Sequence, residues 1–247
     1  MMAKKLDEWV RTDVGCLKEK PLKWLSEEHF FRDPSRPMFS EPNYFFSPAD
    51  GIILYQCIVD AGTPIIDIKG KPYSLRDAVQ NAAFDKTCLV IGIFMTMYDV
   101  HVNRVPYAGF LSYKPLEPIG TFNHPMLNVE HYLVNELTID HDGATYLHYN
   151  QRVLNRIYVP ELRQHYYVLQ IADYDVDCVT PFTLAQNVPV SQNQRFSQIR
   201  FGSQVDLILP ITERHAFETV QETGMHVEAG IDPLVAIVRK TESSIAK

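Results

Sequence analysis

Three short stretches of this 247-residue chain carry side chains that could do chemistry together. They are Phe45-Phe46-Ser47-Pro48-Ala49-Asp50-Gly51, Met97-Tyr98-Asp99-Val100-His101-Val102-Asn103-Arg104-Val105-Pro106, and Ile199-Arg200-Phe201-Gly202-Ser203-Gln204-Val205-Asp206. An aspartate, a histidine and a serine on separate segments are the parts of a nucleophile, its base and a group that orients the base. Each also has a plainer reading. Asp50-Gly51 is a turn signal. One histidine among nine is usually a surface or core residue. A Gly-Ser pair ahead of a strand is usually a turn. Spacing alone does not decide whether the three side chains meet.

The elements that must position them read as mostly β. Residues 51–55, 63–68, 89–98, 107–113, 166–171 and 205–210 are β-branched or aromatic runs separated by turn residues. Residues 226–230 and 234–237 continue the pattern. The uncharged run 87–98 is too short for a bilayer, which needs about 20 residues, and reads as a buried strand. One short helix fits residues 74–79, with Ser74 as N-cap and Asp77 at the third position. The first 30 residues or so read as helical, with Leu6, Trp9 and Val10 on one face and Leu22, Trp24 and Leu25 in a second apolar cluster. Their mixed charges suit a solvated amphipathic pair, and an element resting on a membrane face is the other reading. Regular short strands with few helices predict one mostly-β domain over residues 1–247.

Composition narrows the function. Apolar residues make up 46% of the chain and charged residues 21%, as in a globular protein. A net charge of -7 argues against a nucleic-acid partner, since phosphate binding wants a basic excess. Cys16, Cys57, Cys88 and Cys178 form no C-x-x-C pair, and the N-terminus lacks the apolar core of a signal peptide. A cytoplasmic location is expected, with peripheral contact at a membrane face left open.

The order of the motifs says more than any one of them. Phe30-Phe31-Arg32-Asp33-Pro34-Ser35-Arg36-Pro37 opens the series. It is followed by Ser47-Pro48-Ala49-Asp50-Gly51, Ile68-Lys69-Gly70-Lys71-Pro72-Tyr73-Ser74-Leu75, Asn150-Gln151-Arg152, Gly202-Ser203 and Val227-Glu228-Ala229-Gly230. In this order the chain resembles the pyruvoyl-dependent phosphatidylserine decarboxylase family over roughly residues 29 to 237. It departs in several places. Gln204 stands where the family usually has Thr or Arg, Asn193-Gln194 replaces Gly-Glu, and Ala172-Asp173-Tyr174 replaces Gly-Ala-Thr. The His101-to-Pro106 stretch is similar to the short forms of the family, not to the His-x-x-His-x-Pro of the longer ones.

The resemblance implies a β-rich α+β fold with barrel-like or sandwiched antiparallel sheets and N-terminal helices. It implies self-cleavage at Gly202-Ser203, into a β-chain of residues 1–202 and an α-chain of residues 203–247. Asp50, His101 and Ser203 are the implied catalytic residues, with His101 as base and Asp50 orienting it. Gly202 is expected to take backbone angles closed to other residues and so to hold the scissile bond under strain. Ser203 would become a pyruvoyl group, a ketone that draws electrons from an amine substrate as carbon dioxide leaves. Neither a metal nor pyridoxal phosphate is expected. Tyr98, Asp99, Asn103 and Arg104 would flank the site, with Tyr98, Asn103 and Arg104 as substrate contacts. The implied substrate is phosphatidylserine, giving phosphatidylethanolamine, and the family's habit of pairing implies a homodimer. Two alternatives stand beside this: a decarboxylase of a soluble amino acid, and an uncleaved binding module.

Overall fold

The computed structural model describes residues 3–117, 119, 122–173, 178–200 and 202–239. Met1, Met2, Tyr174, Phe201, the Leu22 side chain and the last eight residues of the expected α-chain lie outside the described residues.

Alternating apolar residues build a nine-stranded antiparallel sheet. Its order is Lys4–Lys5, Met225–Val227, Gly51–Val59, Cys88–Met95, Ser203–Pro210, Gln164–Ala172, Arg152–Val159, Gly109–Pro115 and Val188–Val190. Cys88–Met95 and Ser203–Pro210 are buried at every position, because apolar layers cover both faces of the sheet. Val90, Phe94 and Ile208 belong to one layer, and Leu89, Ile91, Ile93, Val205, Leu207 and Leu209 to the other. This is the period of two expected of a pleated strand. Two three-stranded sheets add to the sandwich. One joins Val179–Pro181, Arg195–Ile199 and Val102–Arg104, and the other joins His215–Thr219, Pro233–Arg239 and Tyr44–Phe46.

Most expected strands are present, with shifted ends. The 51–55 strand runs on to Val59, and the 89–98 strand spans Cys88–Met95. The helix after Ser74 covers Leu75–Ala78 and carries the expected capping box, in which Ser74 Oγ accepts from the Asp77 N–H and Asp77 accepts from the Ser74 N–H. The N-terminal segment is helical over residues 6–14 and 22–29, but Lys4–Lys5 pairs as a strand with Met225–Val227. Trp9 is buried and stacks on the His226 ring at 4.7 Å, which draws the first helix onto the sheet.

Asp50-Gly51 is not a hairpin turn. Gly51 opens the Gly51–Val59 strand at φ 153°, where a side chain would strike the Phe94 carbonyl. Gly92 serves a different purpose. It lies opposite Tyr55 on one side and Asp206 on the other. Its missing side chain leaves room for the Tyr55 ring to lie across the middle strand, where its hydroxyl donates to Asp206 Oδ2 at 2.9 Å. Gly92→Ala therefore drives a methyl into that ring. The expected cost is about 1–3 kcal/mol, read as a lower midpoint in urea unfolding with an unchanged slope; an unshifted midpoint would show that the ring is free to move.

Candidate active site

Ser203 is the first residue of the Ser203–Pro210 strand and is fully buried. It pairs with Met95 on one side and Ala172 on the other. Its hydroxyl contacts the Met95 sulfur at 3.2 Å. The residue before it explains its own identity in an unexpected way. Gly202 has no positive φ, so the backbone strain expected there is not observed. A side chain at Gly202 would instead press on Asp173 Oδ2, 2.7 Å from the Cβ position. That aspartate also accepts from the Met126 N–H at 2.9 Å.

His101 reaches the same end of the sheet by another route. Its carbonyl accepts from the Ile199 N–H at 3.1 Å, just before the loop that leads to Ser203. Its ring is fully buried and stacks on Phe30 at 3.8 Å. Nδ1 lies 3.2 Å from the Asp99 carbonyl, and Nε2 has no hydrogen-bond partner. Burial lowers the His101 pKa to about 3, against a smaller upward pull from Asp99. The ring is therefore neutral near pH 7. With Nδ1–H donated to the carbonyl, Nε2 keeps an unshared lone pair, the form a general base requires.

The structure does not bring Asp50 to the His101 ring. Asp50 accepts two hydrogen bonds of 2.6 Å from the Arg36 guanidinium and one of 2.7 Å from the Ala229 N–H. This buried fork-to-fork pair ties the opening Phe30-to-Pro37 segment to the Val227-to-Gly230 turn. The carboxylate that sits by His101 in the chain is Asp99, and its partner is His226. Nε2 of His226 lies 2.7 Å from Asp99 Oδ1, while Asp99 Oδ2 accepts from the Thr96 N–H and hydroxyl at 2.8 Å each. Sequence reasoning named Asp99 only as a flanking residue and His226 only as part of a strand. The two are 127 positions apart, and no local pattern in either segment pairs them.

The three expected substrate contacts differ in fate. Asn103 is buried and engaged: it donates to the Pro48 carbonyl at 3.3 Å and accepts from Gln170 at 2.6 Å. Arg104 is buried too, donating to the Asn193 carbonyl at 3.1 Å and pairing with Asp33 at 3.5 Å. Tyr98 lines a cavity of about 370 Å³, with Lys18, Met97, Leu127, Glu130 and Val134. Burial raises the Glu130 carboxyl there to about 8, so it is largely protonated at neutral pH.

The motifs keep their order along the chain, and Arg36 and Asp50 tie the first two of them to the Val227-to-Gly230 turn. Residues 28–233 match the family described as phosphatidylserine decarboxylase. The chain belongs to the phosphatidylserine decarboxylase family. It is 28% identical over 213 residues to a putative archaetidylserine decarboxylase proenzyme of Methanocaldococcus jannaschii, covering 85% of this chain and 89% of the relative. A phosphatidylserine decarboxylase proenzyme of Chlorobium chlorochromatii is 29% identical over 204 residues, covering 78% of this chain and 76% of the relative. One from Erythrobacter litoralis is 32% identical over 183 residues, covering 73% and 62%. The family match spans every motif from the Phe30 segment to the Val227 turn. No helix among the described residues is long and apolar enough to cross a membrane.

The pair of Asp99 and His226 gives this decarboxylase-family fold a distinct pH response. Burial alone would raise Asp99 and lower His226, but their mutual attraction and hydrogen bonds reverse both shifts. The raised His226 contributes stability that is full below its ordinary 6.5 and is lost as pH rises through its folded value. The lowered Asp99 contributes stability present above its ordinary 3.8 and lost as pH falls through its folded value. His226→Gln should therefore flatten the fall in stability on the alkaline side of neutrality, measured as urea midpoints against pH. An unchanged slope would mean that another group sets it.

Proposed function

We propose that the chain is a proenzyme that cuts itself between Gly202 and Ser203 and then decarboxylates the serine headgroup of a phospholipid, phosphatidylserine first. The observation that carries this reading is the buried His101 ring, whose Nε2 has no partner, on a residue whose carbonyl is bonded by Ile199, four residues before Ser203.

The self-cleavage follows from residues of this chain. Ser203 Oγ attacks the Gly202 carbonyl carbon while His101 Nε2 takes the hydroxyl proton. The Gly202–Ser203 amide bond breaks, freeing the Ser203 amine and leaving an ester between Gly202 and Ser203 Oγ. Loss of the Ser203 Cα proton then expels Gly202 as a carboxylate and leaves a dehydroalanine. One water hydrolyses this, with ammonia leaving, and a pyruvoyl group caps residues 203–247. Ser203 fits that conversion, since it begins a strand held on both sides and stays in place when its N-terminal bond is cut. Once formed, the group supplies an electron sink for decarboxylation.

In this reading Asp50 acts on the site through structure: with Arg36 it fixes the opening segment, whose Phe30 ring packs on His101. Arg32 adds a second tie, donating to the Tyr98 and Asp99 carbonyls at 2.6 and 3.2 Å. The substrate approaches through the cavity at Tyr98. Leu127, 61% exposed at that cavity, offers a lipid an apolar contact beside the polar Lys18, His131 and Asn135.

Intact mass spectrometry under denaturing conditions tests the reading. The wild-type chain should give residues 1–202 and 203–247, the second about 17 Da lighter than its serine-started form because an amine has become a ketone. Ser203→Ala should stay as one chain, and His101→Ala should cut at least about 100-fold more slowly, the lower range for loss of a general base. An uncut wild-type chain after long incubation would overturn the proposal.

A further inference from the structure

The chemistry above uses one face of the strand that begins at Ser203. The other face holds four buried polar side chains that it leaves unused. Gln204 Nε2 donates to Asp206 Oδ1 and to the Tyr55 hydroxyl, each at 2.6 Å. The Tyr55 hydroxyl in turn donates to Asp206 Oδ2 at 2.9 Å, and the Tyr146 hydroxyl donates to Gln204 Oε1 at 2.6 Å. Gln204, Asp206 and Tyr146 are wholly buried and Tyr55 nearly so. The four come from three parts of the fold: Gly51–Val59, the turn Thr145–His148, and the cut strand itself. They sit within an apolar layer, where an unmet polar group is costly.

We propose that Gln204 is a positioning residue, and that its side-chain anchor holds the start of this strand in register before and after the chain is cut. The inference rests on the self-cleavage proposed above. Before cleavage, Ser203 and Gln204 point to opposite faces of one strand, so fixing one aims the other. After cleavage, Ser203 becomes a chain end. Chain ends fray unless they are tied down, and Ser203 itself is then held by its ladder pairing with Met95 and Ala172. Gln204 is the next residue, and every polar atom of its amide is bonded. The usual Thr or Arg of the family could not make this set: Thr is too short, and Arg has no acceptor for the Tyr146 hydroxyl.

The direction of these bonds is fixed by Asp206. Both of its oxygens accept, as those of the ionised carboxylate do. Burial pushes this carboxyl up to about 6, against a downward pull from the hydrogen bonds of Gln204 and Tyr55. Arg152 is the cation that acts on it, and Tyr73, Tyr146 and Cys57 are the other titratable groups that sense its charge. A proton on Asp206 would face a donor and break one bond of the set.

The test follows cleavage over time by denaturing intact mass, in the full chain, from pH 5 to pH 8. Wild-type cleavage should slow below about pH 6 as Asp206 takes a proton. Gln204→Met, of similar size, should slow it at least tenfold at pH 8, and Tyr146→Phe, which removes one bond and keeps the ring, should slow it less. Gln204→Glu should be slow at pH 8 and recover as the pH falls, because two facing carboxyls then share one proton. This opposite slope is something a space-filling role would not produce. Every rate is read well below the variant's own thermal midpoint, so that slow cutting in folded protein separates positioning from folding. A wild-type chain that cuts, with Gln204→Met cutting at the same rate or Gln204→Glu lacking the reversed slope, overturns this inference alone. A wild-type chain that does not cut removes the function it rests on, and the inference with it.

Discussion

The pairing of Ser203–Pro210 on both of its edges is the constraint on which the rest depends. The strand matches Cys88–Met95 residue for residue over its whole length, and it pairs with Gln164–Ala172 from Ser203 to Ile208. A chain that cuts itself at the head of such a strand need not fall apart. Burial of Val205, Leu207, Ile208 and Leu209 contributes about 6–12 kcal/mol at the usual 1.5–3 per side chain. That is close to the cost of holding two separate molecules together, about 4–15 kcal/mol. The rest of the C-terminal segment adds to it. Val227 lies in the same large sheet, and Leu234 and Val235 are buried in the strand that pairs with Tyr44–Phe46. Ser203 thus heads a strand that is held on both of its edges.

Around that strand, buried charge is used to join segments far apart in the chain. Arg36 and Asp50 bring the opening segment to the Val227-to-Gly230 turn, and His226 and Asp99 bring the sheet edge to the turn before His101. Buried ion pairs add little net stability over apolar packing, yet losing one partner is costly. Such pairs therefore specify which segments meet more than they strengthen the fold. Here both hold the walls around His101: Phe30 lies on its ring, and Asp99 supplies the carbonyl at Nδ1. The His101 ring is left neutral and buried, with one nitrogen unclaimed.

Much of this was legible in the sequence, for definite reasons. Strands such as Cys88–Met95 stand out because a run with no charge has few other places to go, and the Ser74 cap is a local pattern with a local structure. The family was legible because its motifs keep their order. Side-chain partners were not. The family resemblance implies that Asp50 orients His101, but a guanidinium 14 positions before Asp50 claims it. Asn103 and Arg104 looked like substrate contacts because polar residues near a catalytic motif often are, and both are spent on internal bonds. Gly202 suggested backbone strain, whereas a neighbouring carboxylate accounts for it. The short strands Val102–Arg104 and Arg195–Ile199 carry too many polar residues to show an alternating pattern. They exist because the sheet they form covers the larger one.

Native mass spectrometry of the purified, processed protein is the most direct test of this account. Residues 1–202 and 203–247 should travel as one non-covalent particle in native buffer and separate only in denaturant, since the cut strand stays paired on both sides. Release of residues 203–247 in native buffer, with no denaturant present, would contradict it.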